Sequence, residues 1–251
     1  MRACVLALFF LSSLISAAQE ITVAAASDLQ FALQDVTERF EKETGAGVKL
    51  VFGSSGNLLT QIQNGAPFDL FFSADIEYPQ KLEAAGLAEP GTLYEYAAGK
   101  LVLWAPKDST LDLGTGLQVL LSAKIKKIAI ANPAHAPYGR AAVAALRHEH
   151  LYDQVADRLI LGENISQTAS FVVSGSADIG MVALSLALAP SLKDKGKYAE
   201  VPADEYPPIR QAAILLKSSN QKTVAGKFLA YLKTPAVVNL LKEYGFTIPG
   251  G

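Results

Sequence analysis

From Ile21 onward the sequence alternates short apolar runs with stretches of helical periodicity, and this constrains the fold more than any other feature. Such alternation reads as βα units building a largely parallel sheet. Ile21 to Ala26 is the first buried strand. Leu29, Ala32, Leu33, Val36 and Phe40 then recur at helical spacing, and Gly45 ends that helix. Val48 to Phe52 and Asp69 to Ser73 read as the next strands. Leu58, Leu59 and Ile62 mark a helix closed by Gly65, and another runs from about Glu77 to Ala85. Further strands are expected at Lys100 to Ala105, Ile128 to Ala131, Leu159 to Leu161 and Ile179 to Val182. One more, Arg210 to Lys217, follows the turn at Pro207-Pro208. Helices are expected near Gly139 to His150, Ser166 to Ser174, Gln221 to Leu232 and Pro235 to Tyr244. The fold class is α/β, and 251 residues allow one large domain or two small ones.

Residues 1–18 are a different kind of sequence. Arg2 precedes an apolar stretch from Val5 to Ala18, and Ser16 and Ala18 place small residues at the −3 and −1 positions of a cleavage site. The stretch is too short to span a bilayer well, so it reads as a signal peptide and the protein as exported. The single cysteine, Cys4, lies inside it. Cleavage after Ala18 leaves a chain with no disulfide, thiol chemistry or Cys-ligated metal to offer. Lys+Arg number 22 against Asp+Glu 24, a balance that argues against a nucleic-acid binder, which needs clustered cations.

The strand-to-helix junctions carry the chemistry. The first strand runs into Ala26-Ser27-Asp28 and the second into Gly53-Ser54-Ser55-Gly56. The Ile128 strand runs into Asn132 through Gly139, and the Leu159 strand into Gly162-Glu163-Asn164-Ile165-Ser166. In open α/β sheets such turns gather at the carboxyl ends of the strands, where ligands bind. Unpaired N–H groups and the positive end of the helix dipole make each a ready anion site. The plain alternative is that each Ser or Asp only caps its helix. Gly53-Ser54-Ser55-Gly56 offers more than capping needs, because one cap takes one hydroxyl and the glycines let a ligand approach the backbone.

These residues carry a resemblance. Ala24-Ala25-Ala26-Ser27, Phe52-Gly53-Ser54-Ser55-Gly56 and Gly65-Ala66-Pro67-Phe68-Asp69-Leu70-Phe71-Phe72-Ser73-Ala74-Asp75 resemble the periplasmic molybdate-binding proteins of ABC transporters. So do Asn132-Pro133-Ala134-His135-Ala136-Pro137-Tyr138-Gly139 and Tyr244-Gly245-Phe246-Thr247-Ile248, in the same order along the chain. The resemblance implies a two-lobed periplasmic-binding-protein fold that closes on one tetrahedral oxyanion, molybdate or tungstate. It implies ligand positions at Ser27, at Ser55 with Ser54 adjacent, and on the second lobe at Tyr138 and Ile165. It implies lobes over 19–100 with 209–251 and over 101–208, a periplasmic location, a monomer, and delivery to a membrane permease driven by a cytoplasmic ATPase. No cofactor, direct cation ligand or catalytic residue is implied. Two positions depart from the family: Asp28, where many members are apolar, and Ala183, where some carry a ligand tyrosine. Asp28 is expected to face away from the anion and serve the helix start.

Rival chemistries find less support. An exported hydrolase would be the enzyme alternative, but no Gly-x-Ser-x-Gly elbow exists. His135 reads as a surface-loop histidine rather than a general base. His148 and His150 stand two apart, on different faces of a helix, a poor chelate. Gly99-Lys100 and Gly226-Lys227 lack the upstream glycine of a P-loop. Trp104 and the tyrosines read as core rather than an aromatic box for a cation. Receptors for sulfate or phosphate remain the alternatives within the binding class.

Overall fold

A computed structural model describes residues 20–250; the signal peptide expected over 1–18 lies outside the described residues. Strands β1 (Glu20–Ala26), β2 (Gly47–Gly53), β3 (Leu70–Ser73) and β4 (Tyr94–Gly99) belong to one sheet. The chain then supplies a second sheet with β5 (Leu101–Pro106), β6 (Ile128–Ala131), β7 (Leu159–Gly162), β8 (Ile179–Ala183) and β9 (Gly196–Glu200), before returning to the first as β10 (Ile209–Leu215). The strand orders are β2-β1-β3-β10-β4 and β7-β6-β8-β5-β9. In each sheet three strands pair in parallel and an antiparallel strand follows, β10 against β3 and β5 against β8. Lys100 alone separates β4 from β5.

The all-apolar strands are explained by layers on both faces. Along β1, Ile21, Val23 and Ala25 enter one core with Phe40, Phe228 and Leu240, while Ala24 enters another with Leu58, Ile62 and Leu82. The helices filling the first core are α1 (Gln30–Thr44), and later α8 (Lys222–Tyr231) and α9 (Pro235–Glu243). The second core is covered by α2 (Ser55–Gln63) and α3 (Glu77–Ala84). In α1, Ala32, Leu33, Val36 and Phe40 are buried at three- and four-residue steps, one stripe of an amphipathic helix. Gly45 stops it with φ 72°, a left-handed turn whose N–H bonds the Glu41 carbonyl. The Phe40 ring meets Phe228 edge-on at 4.9 Å. Loss of that side chain would cost about 3–5 kcal/mol.

The second sheet is covered by α4 (Pro137–His148), α5 (Tyr152–Val155), α6 (Ile165–Val173) and α7 (Leu184–Ala187). Its core runs from Leu101 and Trp104 through Ile128, Ile130, Met181 and Val182. Helix α4 begins at Pro137, two residues before the sequence expectation, because proline is preorganised for the first helical position. That shift draws Tyr138 into the first turn.

The sequence pattern gives no strand at β4 or β9. Both are the outermost strands of their sheets, and their charged or half-exposed residues break the apolar runs that betray inner strands. Among the described residues no helix is long and apolar enough to cross a membrane.

Candidate functional site

The four junctions singled out in the sequence meet. The 3₁₀ turn Ser27–Leu29 and the start of α2 come from the first sheet, and the starts of α4 and α6 from the second. They surround a small, nearly closed cavity lined by Ser27, Asp28, Ser54, Ser55, Tyr138 and Ile165 together with small residues and Pro137. No Lys or Arg lines it. All five residues expected at an anion site, and Asp28 besides, therefore reach one place.

Capping does not account for these helix starts. The N-cap residues Ala26, Ser54 and Ala136 make no side-chain cap; only Asn164 does, accepting from the Gln167 N–H at 3.0 Å. The helix ladder offers no acceptor to first-turn N–H groups, and Ser55, Tyr138 and Ile165, which line the cavity, all stand in first turns. The Ser55 hydroxyl accepts from the Ala74 N–H at 3.0 Å, so its own proton is free to be donated. Ser27 Oγ accepts from the Ser166 N–H at 3.3 Å, across from the second sheet. Neutral donors at helix ends suit a fully deprotonated anion, and they spare the site the cost of burying a cation.

The site is closed by contacts between the two halves. Gly56 N–H donates to the His135 carbonyl at 2.9 Å, an approach so near that a Cβ on Gly56 would stand 2.7 Å from that oxygen. His135 Nδ1 lies 2.8 Å from Ser54 Oγ, and its Nε2 lies 3.6 Å from a Glu163 carboxylate oxygen. The reading of His135 as a surface-loop residue is thus corrected: its ring is wedged in the seam, where only the sheet-to-sheet approach places it. Asn57 also donates to Glu163. On the other flank Arg140 of α4 pairs with Asp75 and donates to the Tyr78 hydroxyl at 2.7 Å.

Asp28 does more than serve the helix start: backbone N–H groups of its own turn favour its ionised form, and its side chain also meets Gln211 and Tyr138. It is 1% exposed, and its Oδ2 accepts from Gln211 Nε2 at 2.5 Å and from the Tyr138 hydroxyl at 3.1 Å. Its Oδ1 is buried with no hydrogen-bond partner. Burial pushes the Asp28 carboxyl up to about 6, against the opposing pull of hydrogen bonds from Gln211, Tyr138 and the backbone N–H groups of Asp28 and Leu29. Gln211 in turn accepts from the Tyr96 hydroxyl at 2.9 Å. It sits where β10 shifts register against β4, a bulge of the kind that re-aims a side chain beside a site. Sequence reasoning missed Gln211 and Tyr96. A fully buried glutamine in the apolar strand Ile209–Leu215 was the available signal, because such a group must find partners. Ala183, where a family tyrosine stands in some members, is buried at the end of β8 and does not line the cavity.

Comparison with known proteins identifies the architecture. A family model described as bacterial extracellular solute-binding protein matches residues 21–247. The chain belongs to this family. The molybdate-binding protein of Azotobacter vinelandii is 40% identical over 229 residues, spanning 91% of this chain and 90% of that one. That of Rhodobacter capsulatus is 36% identical over 241 residues, spanning 96% and 93%. The solved structure of the Azotobacter vinelandii periplasmic molybdate-binding protein matches with a TM-score of 0.87 at 38% identity, covering 91% of this chain and 99% of that one. The fold is the two-lobed periplasmic-binding-protein fold, one sheet to each lobe. As a solute-binding protein the chain is not an enzyme, and the exported hydrolase is set aside.

Proposed function

We propose that this solute-binding protein captures molybdate, and tungstate alongside it, in the cavity between the lobes, and delivers it in the periplasm to a membrane permease driven by a cytoplasmic ATPase. The observation that carries this is the convergence of four helix starts, two from each lobe, on a small cavity without a lysine or arginine. The names of the relatives support the choice of anion. Ser27 and Ser55 donate through their hydroxyls, with Ser54 beside them held to His135, and Tyr138 and Ile165 donate through backbone N–H groups. A tetrahedral dianion fits four converging donor directions.

The lobes in this reading are 19–100 with 209–251, and 101–208, in a protein acting as a monomer. Two supports are the single residue between β4 and β5 and the return of the chain between β9 and β10. Two narrow crossings make a hinge about which one lobe closes on the ligand.

The test is a thermal-shift panel of oxyanions. A ligand at a hundredfold excess over Kd adds about 2.7 kcal/mol to the folded state. At roughly 2–4 °C per kcal/mol, molybdate and tungstate should raise Tm by about 5–11 °C. Sulfate has the same charge and shape but shorter bonds, so donors spaced for the larger anion would not all reach it, and its shift should be much smaller. Equal shifts with sulfate would make this a general dianion receptor. No shift with any oxyanion would sink the proposal.

A further inference from the structure

Asp28 poses a problem that the donors around it do not solve. Asp28, a carboxylic acid, is among the residues lining a cavity proposed above for a dianion, and this inference rests on that reading. Two like charges in so dry a place cannot both persist, because desolvation and mutual repulsion both disfavour the ionised acid. Only one of its oxygens is occupied: Oδ2 holds the Gln211 amide and the Tyr138 hydroxyl. Oδ1 has no partner, although Asp28 is 1% exposed. An oxygen in that position becomes useful if it carries a proton, since it then adds a donor to the site.

We propose that Asp28 takes up one proton as the oxyanion enters, holding it on Oδ1 as a hydrogen-bond donor, so that capture of a dianion is coupled to proton uptake from solvent. The balance is simple: the ionised carboxylate, one proton and the dianion give a neutral acid hydrogen-bonded to a bound dianion. The surroundings favour the neutral form. The groups facing Asp28 are the Tyr138 phenol from α4, the Gln211 amide from β10 with the Tyr96 phenol of β4 behind it, the backbone N–H groups of Asp28 and Leu29, and the Ser185 hydroxyl of α7, which donates to the Asp28 carbonyl at 2.7 Å. From α6 come Ser166 and Ile165, at the far wall of the cavity. None is charged, and both phenols are themselves held neutral by burial. Other ionisable groups near the lobe seam are His135 with Glu163, Arg140 with Asp75 and Tyr78, and Tyr206, which acts on Tyr138.

The sign follows from linkage. Below the range in which unliganded Asp28 ionises, near 6, the proton is already present and affinity is level. Above it, each pH unit removes the competent form tenfold, so Kd should rise toward tenfold per unit. Calorimetry of the purified protein with sodium molybdate from pH 6.0 to 8.5, repeated in buffers of different ionisation enthalpy, reads both the slope and the protons taken up. The expected result is close to one proton at pH 8 and a Kd weakened by about a hundredfold across the alkaline two units.

Asp28→Asn supplies the contrasting arm. Its oxygen can keep the Gln211 and Tyr138 hydrogen bonds while its amide donates from the Oδ1 position, so affinity should become level with pH and exceed the wild type at pH 8.5. His135→Gln should leave the slope in place. Level affinity and no proton uptake in the wild type would overturn the inference without touching the function. An Asp28→Asn protein that keeps the wild-type slope would also overturn it, and would move the proton to His135. No molybdate heat at any pH would instead remove the reading on which it rests.

Discussion

The first lobe brings hydroxyls to the cavity, where the second brings little but backbone. Ser27, Ser54 and Ser55 stand on one side, at the ends of β1 and β2. Opposite them Tyr138 and Ile165 stand in first turns; the Ile165 side chain is buried in the core of the second lobe, while that of Tyr138 reaches across to the first. The difference sets what substitution can reach. A hydroxyl is removed by one atom's change, whereas a backbone donor survives any side chain except proline. The first lobe should therefore tune affinity directly, and the second should act through stability and through how firmly it closes.

The largest effect expected of a single substitution is at Ser55. Its hydroxyl accepts from the Ala74 N–H and keeps its own proton to donate, so on the proposed function Ser55→Ala removes a hydrogen bond to a charged ligand worth about 1.5–3 kcal/mol. That is roughly a 10- to 150-fold loss of affinity. The opposite wall supplies the control. Ile165→Val trims a buried side chain in the second core and should cost about 0.5–1.5 kcal/mol of stability. Its molybdate Kd should change less than twofold, because the N–H stays where it was. A Ser55→Ala protein with unchanged affinity, measured by calorimetry, would erase the distinction between the walls.

Tyr138 belongs to both walls and gives a middle-sized effect. Its backbone faces the cavity, yet its hydroxyl crosses to Asp28 in the first lobe, with Gln211 Nε2 3.2 Å away. From the family resemblance alone, Tyr138→Phe would be nearly neutral. The structure gives it a cost of about 1 kcal/mol, because the hydroxyl's two long hydrogen bonds, to Asp28 and from Gln211, both cross between the lobes. The loss should fall on molybdate affinity, about fivefold, with little change in the melting temperature of the unliganded protein. A shift of equal size in both would mean that the phenol braces the fold and not the closure.

The sequence made the frame of the site legible because inner strands and their helices are local patterns. The run Ile128–Ala131 was found to the residue, and Gly45 marked the end of α1 through its backbone freedom. The hydroxyl-rich junctions were found for the same reason: each is a contiguous stretch of chain. What stayed hidden depends on distant pairing. Strand β4 forms against β10, more than a hundred residues later, and its Tyr-Glu-Tyr carries no apolar run. Gln211 reaches Asp28 only because β10 is inserted beside β3 and bulges. His135 looked solvent-bound because nothing in Pro133-Ala134-His135 announces that another lobe will cover it.

The smallest effect tests whether closure depends on the lobes' own grip or on the ligand between them. Arg140 of the second lobe holds Asp75 and the Tyr78 hydroxyl of the first, at the flank of the seam away from His135. Its side chain is 40% exposed, against 18% for that of Asp75, so water and salt screen much of the attraction. A pair of this kind contributes about 0.2–1 kcal/mol. The pair exists only with the lobes together, so Arg140→Ala should weaken molybdate binding by no more than about fivefold. The loss should shrink in high salt, as a screened charge pair must. The effect should also fall on release: an opened clasp lets the second lobe swing away sooner, while the encounter with the open form is unchanged. Stopped-flow measurement separates the two rates. A loss confined to the association rate would mean that Arg140 steers the anion toward the cleft instead of fastening the lobes behind it.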